Sequence, residues 1–391
     1  MSFESSFIAS KSFEGKSAVL RVDYNVPIEN GVLLDDERLL RSIPTIEYIL
    51  EQTNDLKILT HLGRPSEQNS VSEEFSLAPV AKRLGELLQK EVKLVKSIEE
   101  LKSSNSLVML ENVRAFAGEQ DNEDELSEKL GELGDIFVMD AFGTAHRKQA
   151  STYGIVNFVE EACFGLLIEQ EMKALEKIVL SPDKPLLGII GGSKISTKID
   201  IIKNLIPKFD NIIIVGAMAN NFIEYFGHNI GKSIKEKNCD PIIEEIISLS
   251  KKEKCEISYP EDVLVSKDLN GSYKKRKLNE ILNDEMILDI GPKTIDKITN
   301  IINSSKTILW NGPAGYFENP NFANGSIEIA KTIIKNNKLN KIFSVVGGGD
   351  TVSLLNSIKA VDGFNFVSTA GGAFLEYLEG KKLPGITALN Q

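Results

Sequence analysis

The sequence is poor in the residues most used to move protons and to bind transition metals. Of 391 residues, only three are histidine and three are cysteine. Cys163, Cys239 and Cys255 are odd in number, widely spaced and free of any C-x-x-C pair, which indicates neither a disulfide framework nor a zinc site. They read as small hydrophobes. No apolar run approaches the roughly 18 residues needed to cross a bilayer, and the opening MSFESSFIAS has no basic stretch leading into an apolar one. A cytoplasmic protein without a membrane partner is expected. Positive charge is also short: 45 Lys and Arg against 56 Asp and Glu give a net charge of -11, which opposes docking on nucleic acid. Any anionic ligand must therefore meet basic residues gathered locally.

Standard nucleotide motifs are missing as well. No G-x-G-x-x-G occurs, which counts against a dinucleotide-binding dehydrogenase. The nearest approach to a phosphate loop, Gly227 to Ser233, has three residues between its glycine and the Gly-Lys pair where four are required. No repeat of fixed period, low-complexity tract or Gly/Ser linker is present.

What is present is an alternation. Short β-branched or leucine-rich runs are each followed by a turn and then by an amphipathic helical stretch, the pattern of parallel α/β structure. Strands are expected in the first half at 17–22, 57–60, 92–95, 107–110 and 136–139, and in the second at 186–190, 212–215, 286–288, 307–309 and 342–346. Between the two sets, FGLLIEQEMKALEKIVL (164–180) has helical periodicity and ends at the turn-rich Ser181-Pro-Asp-Lys-Pro185. The expected fold is α/β, with two domains of similar size, each a parallel sheet flanked by helices, joined by a helix and hinge. Its limits are 1–163, a connector over 164–185, 186–370, and a final segment 371–391 returning toward the first domain.

Glycine recurs where the second-half strands end, in GIIGGSK, IIIVGAM, ILDIGP, ILWNGP and SVVGGGDT, and a later apolar segment ends FVSTAGG. In parallel sheets these ends line the ligand crevice, and helix starts there present free N–H groups to phosphate. One such turn is ordinary loop chemistry; six in one domain indicate a ligand. Lys194 and Lys198 follow the first of these turns, and a helix is expected to begin at Ile195, placing the two lysines on one face of its first turn. Such a pair either is simply solvated or holds an anion that relieves its repulsion. Asp350, after three glycines, either caps a helix or holds Mg²⁺ beside phosphates. In the first half, Arg21, Asp23, Asn25, Arg38, His61 to Arg64, Arg114 and His146-Arg147 gather cationic and amide side chains near strand ends. Arginine forks there suit carboxylate or phosphate.

Taken in order, RVDYNVP, HLGRP, DAFGTAHR, GGSKIS, WNGPAGYFE, GGGDT and STAGGAFLEYLEGKKLPG resemble the phosphoglycerate kinase family across almost the whole chain. The resemblance implies a monomeric, hinge-bending, cytoplasmic enzyme of glycolysis and gluconeogenesis, with 3-phosphoglycerate on the N-terminal domain and MgATP or MgADP on the C-terminal one. By matching motif, Asp23, Asn25, Arg38, His61, Leu62, Gly63, Arg64, Arg114 and Arg147 would hold 3-phosphoglycerate. Arg38, Lys194, Gly371 and Gly372 would act on the transferring phosphoryl group. Lys194, Lys198, Gly216, Gly291, Glu318, Gly348, Gly349, Asp350 and Thr351 would hold the nucleotide, with Asp350 taking Mg²⁺. Three places depart from the family pattern: Gln149 where histidine is frequent, Met139 where asparagine is common, and Ser66-Glu67 after HLGRP where Lys-Gly is frequent. The residues alone leave open another phosphotransferase with a carboxyl acceptor, or a nucleotide-binding scaffold without turnover.

Overall fold

Six parallel strands make the first sheet, in the order Lys93–Val95, Leu107–Leu110, Leu56–Leu59, Ala18–Arg21, Ile136–Met139 and Glu161–Phe164. The computed structural model describes residues 6–67 and 70–390. Every residue of the four central strands is buried, because helices cover both faces and a parallel sheet offers no face to water. That is why the runs AVLR, LKIL, LVML and IFVM show little alternation of polar and apolar residues.

A second parallel sheet runs Glu256–Ser258, Asn211–Ile214, Leu186–Ile190, Thr307–Asn311, Phe343–Gly347 and Phe366–Val367. Its core holds the single tryptophan, Trp310, fully buried with Nε1 donating to the carbonyl of Gly312 at 2.8 Å. Two compact units follow: Met1–Lys173 with Lys382–Gln391, and Ala174–Lys381. In each, the chain order reverses at a central strand pair. That pair is Ala18–Arg21 beside Ile136–Met139 in the first unit and Leu186–Ile190 beside Thr307–Asn311 in the second. Ligand crevices of open α/β sheets form at the carboxyl ends of such pairs.

The ten expected strands all form, each within two residues of its expected limits. Three edge strands, Glu161–Phe164, Glu256–Ser258 and Phe366–Val367, were not foreseen; they are short and carry little apolar signal. The strand expected at 286–288 needs correction. Met286–Ile290 belongs to a separate antiparallel sheet with Asp262–Ser266 and Lys274–Lys277. The Lys274–Lys277 strand, KKRK, is a charged edge strand, and nothing in its composition reads as sheet. The connector helix spans Leu166–Val179, since Phe164 is still paired in a strand. The compact units divide inside this helix and again after Lys381, so the helix Gly372–Leu378 packs with the second unit and only the last ten residues belong to the first.

Candidate functional site

In the first unit, four loops at strand carboxyl ends bring the expected residues together. Asp23 follows Ala18–Arg21 and forms an ion pair with Arg38 in the helix Glu37–Leu50. Burial opposes its ionisation, but the Arg38 and Arg21 guanidiniums outweigh this and hold the Asp23 carboxyl below its usual value. Asn25 is exposed, and its Oδ1 accepts from the Gly63 N–H at 2.9 Å. The next loop, His61 to Arg64, turns at Gly63 with φ of 62°, where a Cβ would lie 2.6 Å from the Phe75 ring. Only glycine fits that turn without displacement.

Arg114 lies almost fully buried beneath this loop and donates to the Gly63 carbonyl at 2.7 Å. Burial and the neighbouring Arg147 and Arg21 push its pKa down to about 10. Arg147 is half-buried beside His146, to whose Nε2 its Nε donates at 3.3 Å. His61 is buried, and burial drives its pKa well below the ordinary value, so the ring is neutral at pH 7. Leu62 is buried and Arg64 exposed. The cluster thus brings Asp23, Asn25, Arg38, His61, Gly63 and Arg114 together in one set of interlocking loops, with Arg64 and Asn25 presented to solvent.

Sequence reasoning missed the residue that shapes the 61–64 loop. Asn112, at the end of Leu107–Leu110, donates from Nδ2 to the carbonyls of Leu62 at 2.7 Å and Phe75 at 3.0 Å. Its position two residues before Arg114 was the available signal. Gln149, which departs from the family pattern, is buried with no hydrogen-bond partner for Oε1.

In the second unit the crevice is built by backbone. A Cβ at Gly312 would lie 2.3 Å from the Gly191 carbonyl, and one at Gly191 would lie 2.6 Å from the Pro313 carbonyl. Two glycines are what allow these strand ends to touch. Beside them opens a pocket of about 270 Å³ whose lining includes Gly192, Gly216, Ala314, Tyr316, Glu318 and Asp350. It is mostly apolar, with polar groups at its edges, the ordinary character of a small-molecule site. Gly291 is not among the lining residues. It caps the helix Pro292–Ser304 and packs on Asp262, while Asp289 and Ile290 line the pocket in its place.

The two lysines are arranged differently from expectation. The helix begins at Ile199, not Ile195, and Lys198 is its N-cap, so the lysines do not share a first turn. Ser196 and Thr197 hold the preceding segment in a turn, through Glu236 and the Lys194 carbonyl, and such local side-chain bonds compete with helix. Lys194 is exposed. Lys198 is half-buried and donates to Asn311 Oδ1 at 2.6 Å; burial lowers its pKa against the pull of Glu379 and Asp350. Asn311 in turn donates to the Gly347 carbonyl at 2.7 Å, tying that lysine to the glycine turn.

Gly348 caps the helix Gly349–Ser357 at φ of 96°, and Gly349 has open space where a Cβ would stand. Thr351 is fully buried, its hydroxyl accepting from the Gly312 N–H at 2.7 Å. Asp350 is exposed at the pocket rim. Among the described residues no three His, Cys, Asp or Glu side chains converge as a metal cage. A lone carboxylate fits Mg²⁺, which keeps waters and takes one or two carboxylates together with substrate phosphates. Gly371, at φ of 50°, caps the helix that starts at Gly372, and a Cβ there would meet nothing.

The phosphoglycerate kinase family profile matches residues 8–381. The chain is 43% identical to a phosphoglycerate kinase of Francisella tularensis subsp. novicida, over 99% of both proteins. It is 41% identical to one of Desulfovibrio desulfuricans, over 96% of both. Among solved structures, a phosphoglycerate kinase from Coxiella burnetii superposes with a TM-score of 0.92 at 39% identity, covering 98% of each chain. One from Pyrococcus horikoshii superposes with a TM-score of 0.79 at 30% identity, again over 98% of each.

Proposed function

The chain belongs to the phosphoglycerate kinase family, and we propose that its two units divide the reaction, the first holding 3-phosphoglycerate and the second the nucleotide. The activity is reversible phosphoryl transfer between ATP and the carboxylate of 3-phosphoglycerate, giving ADP and 1,3-bisphosphoglycerate. The division of roles is supported most by one observation. Asp23, Arg38, His61 and Arg114 interlock at the strand ends of one sheet, while the glycine turns and the apolar pocket lie at the strand ends of the other.

The acceptor is a carboxylate, ionised at pH 7 because its pKa lies near 3.5. It needs no general base, which agrees with a neutral, buried His61 and a chain holding only three histidines. Transfer passes through a loose in-line transition state with charge on the equatorial oxygens, so catalysis consists of positioning and electrostatic stabilisation. Arg38 of the first unit and Lys194 of the second supply positive charge, and the free N–H groups at Gly371-Gly372 supply fixed donors. Gly348 to Thr351 and Lys198 cradle the remaining phosphates, Glu318 holds the ribose hydroxyls, and the Gly216 turn flanks the base. Mg²⁺ held by Asp350 and phosphate oxygens would neutralise charge on the nucleotide.

Ligand binding to both units must end in closure, since reacting atoms have to come within roughly 3–3.5 Å and water would hydrolyse the acyl phosphate. The connector helix and the turn at 181–185 are the segments suited to absorb that movement. The chain works as a monomer in the cytoplasm. The test of the division uses two arginines. Arg38→Met should impair kcat more than 3-phosphoglycerate binding, and Arg147→Met should chiefly weaken that binding, as steady-state kinetics and equilibrium titration would show. Identical profiles for the two variants would refute the assignment.

A further inference from the structure

Behind the basic cluster of the first unit lies a chain of fully buried polar groups that the reaction as described does not use. It begins with Arg21, whose guanidinium is wholly shielded from solvent. A buried cation must have its donors met and its charge balanced. Arg21 Nε donates to Ser151 Oγ at 2.9 Å, Nη1 donates to the Val22 carbonyl, and Nη2 lies 3.4 Å from His61 Nδ1. Ser151 Oγ donates to Glu119 Oε1 at 2.6 Å, and the Ser151 N–H donates to Oε2 at 3.0 Å. Glu119 and Ser151 are also fully buried.

The direction of this chain is fixed by chemistry. A guanidinium has five donors and no acceptor. Ser151 Oγ therefore accepts from Arg21 and spends its own proton on Glu119. For the same reason, the contact between Arg21 and His61 can only be donation to a bare Nδ1 lone pair. In a neutral imidazole the proton then sits on Nε2. Asp23, the other carboxylate that acts on Arg21, is already engaged with Arg38 and the Asn25 N–H. Glu119, its carboxyl pKa pushed up to about 7 by burial, is left as the acceptor that holds Ser151, and through it Arg21, in place.

We propose that Glu119 is a positioning residue for this enzyme, acting through Ser151 and Arg21 to hold His61 in one tautomer, with Nε2–H as a neutral donor to 3-phosphoglycerate. The proposal rests on the reading that His61 contacts this substrate. A neutral donor of fixed direction discriminates by geometry, where the surrounding arginines attract any anion. The relay would fix one orientation for a histidine that faces Asp23, whose Oδ1 lies 3.9 Å from its Nδ1, as well as Arg21, Arg114 and Arg38.

The test measures the His61 tautomer by long-range proton–nitrogen NMR and KM for each substrate, on intact enzyme, with a His61→Gln variant to assign the ring among the three histidines. The wild type should show an unprotonated Nδ1. Glu119→Gln and Ser151→Ala should each give mixed tautomers and raise KM for 3-phosphoglycerate about tenfold or more, the loss expected for a hydrogen bond to a charged group, with KM for ATP unchanged. Glu119→Asp should restore part of both signals. Should Glu119→Gln fail to fold, Ser151→Ala carries the same test with the carboxylate in place. An unchanged tautomer in a folded variant would overturn the relay, and so would a rise in both KM values that follows a general loss of stability. If His61→Gln leaves KM for 3-phosphoglycerate unaltered while the relay variants still shift the tautomer, the substrate role of His61 is what fails.

Discussion

Replacing Gly63 by alanine perturbs the substrate loop of the first unit by an amount that its backbone angle and its distance from Phe75 set. The residue sits at φ of 62° and its new methyl would lie 2.6 Å from two carbons of the Phe75 ring. Left-handed backbone at a residue with a Cβ costs about 1–2 kcal/mol, and forcing a methyl into a filled space costs about 1–3 kcal/mol. Phe75 is half-buried and has room to yield, so the sum should fall near the lower half, about 3 kcal/mol. In a domain of this size that lowers Tm by roughly 6–12 °C. The same displacement strains two bonds that shape the site, from the Gly63 N–H to Asn25 and from Arg114 to the Gly63 carbonyl. Loss of either, at about 1 kcal/mol, weakens 3-phosphoglycerate binding about fivefold.

Thermal unfolding and steady-state kinetics should therefore show a lower Tm and a higher KM for 3-phosphoglycerate, with KM for ATP within twofold of wild type. Adding Phe75→Ala removes the ring, and the double variant should recover the packing part of the loop distortion while keeping the backbone part. Non-additivity in that cycle is the signature of the contact. Equal rises in both KM values, or no change in either, would refute the reasoning.

The remaining predictions concern the nucleotide side and pH. Lys194→Ala should lower kcat by at least about 10²-fold, the usual result of removing one preorganised donor to a transition state, with a smaller effect on nucleotide binding; near-normal kcat would discard its role. Asp140, fully buried, accepts from the Leu167 and Ile168 N–H groups at the start of the connector helix, and burial pushes its pKa from 3.8 to about 6. Because the folded-state pKa is raised, the ionised form is disfavoured by folding, and stability falls as pH rises from 4 to 6, by roughly 3 kcal/mol. Asp140→Asn keeps the acceptor and removes the titration. The stability difference between the two proteins should change across that window in equilibrium denaturation, and a constant difference would contradict the account.

How far the sequence carried these conclusions depended on whether a feature was local. The buried central strands announce themselves, since IFVM and LVML can only be covered on both faces, and glycines such as Gly312 and Gly348 mark turns that need their freedom. Edge strands did not, because Glu161–Phe164 and Glu256–Ser258 gain their conformation from a neighbour. The strand Met286–Ile290 looked parallel until its antiparallel partner Asp262–Ser266, flanked on the other side by the charged Lys274–Lys277, was placed beside it. The start of the helix after Lys194 was misjudged because Glu236, forty residues away, binds Ser196 and delays it. The same limit applied within the site. Asp23, His61, Arg147 and Lys194 lie in recognisable strings, whereas Asn112, Glu119 and Ser151 act through contacts across the fold. Their importance lies in which groups they hold, and no spacing in the chain encodes that.

The central claim is that a basic, neutral-histidine site and a glycine-built nucleotide site together select one carboxylate as phosphoryl acceptor. A coupled assay of ADP formation from ATP, with 3-phosphoglycerate compared against acetate and aspartate at equal concentration, tests it most directly. The account predicts turnover with 3-phosphoglycerate and background rates with the other two, since only the phosphorylated acceptor can engage the arginine cluster. Comparable turnover with acetate would contradict it.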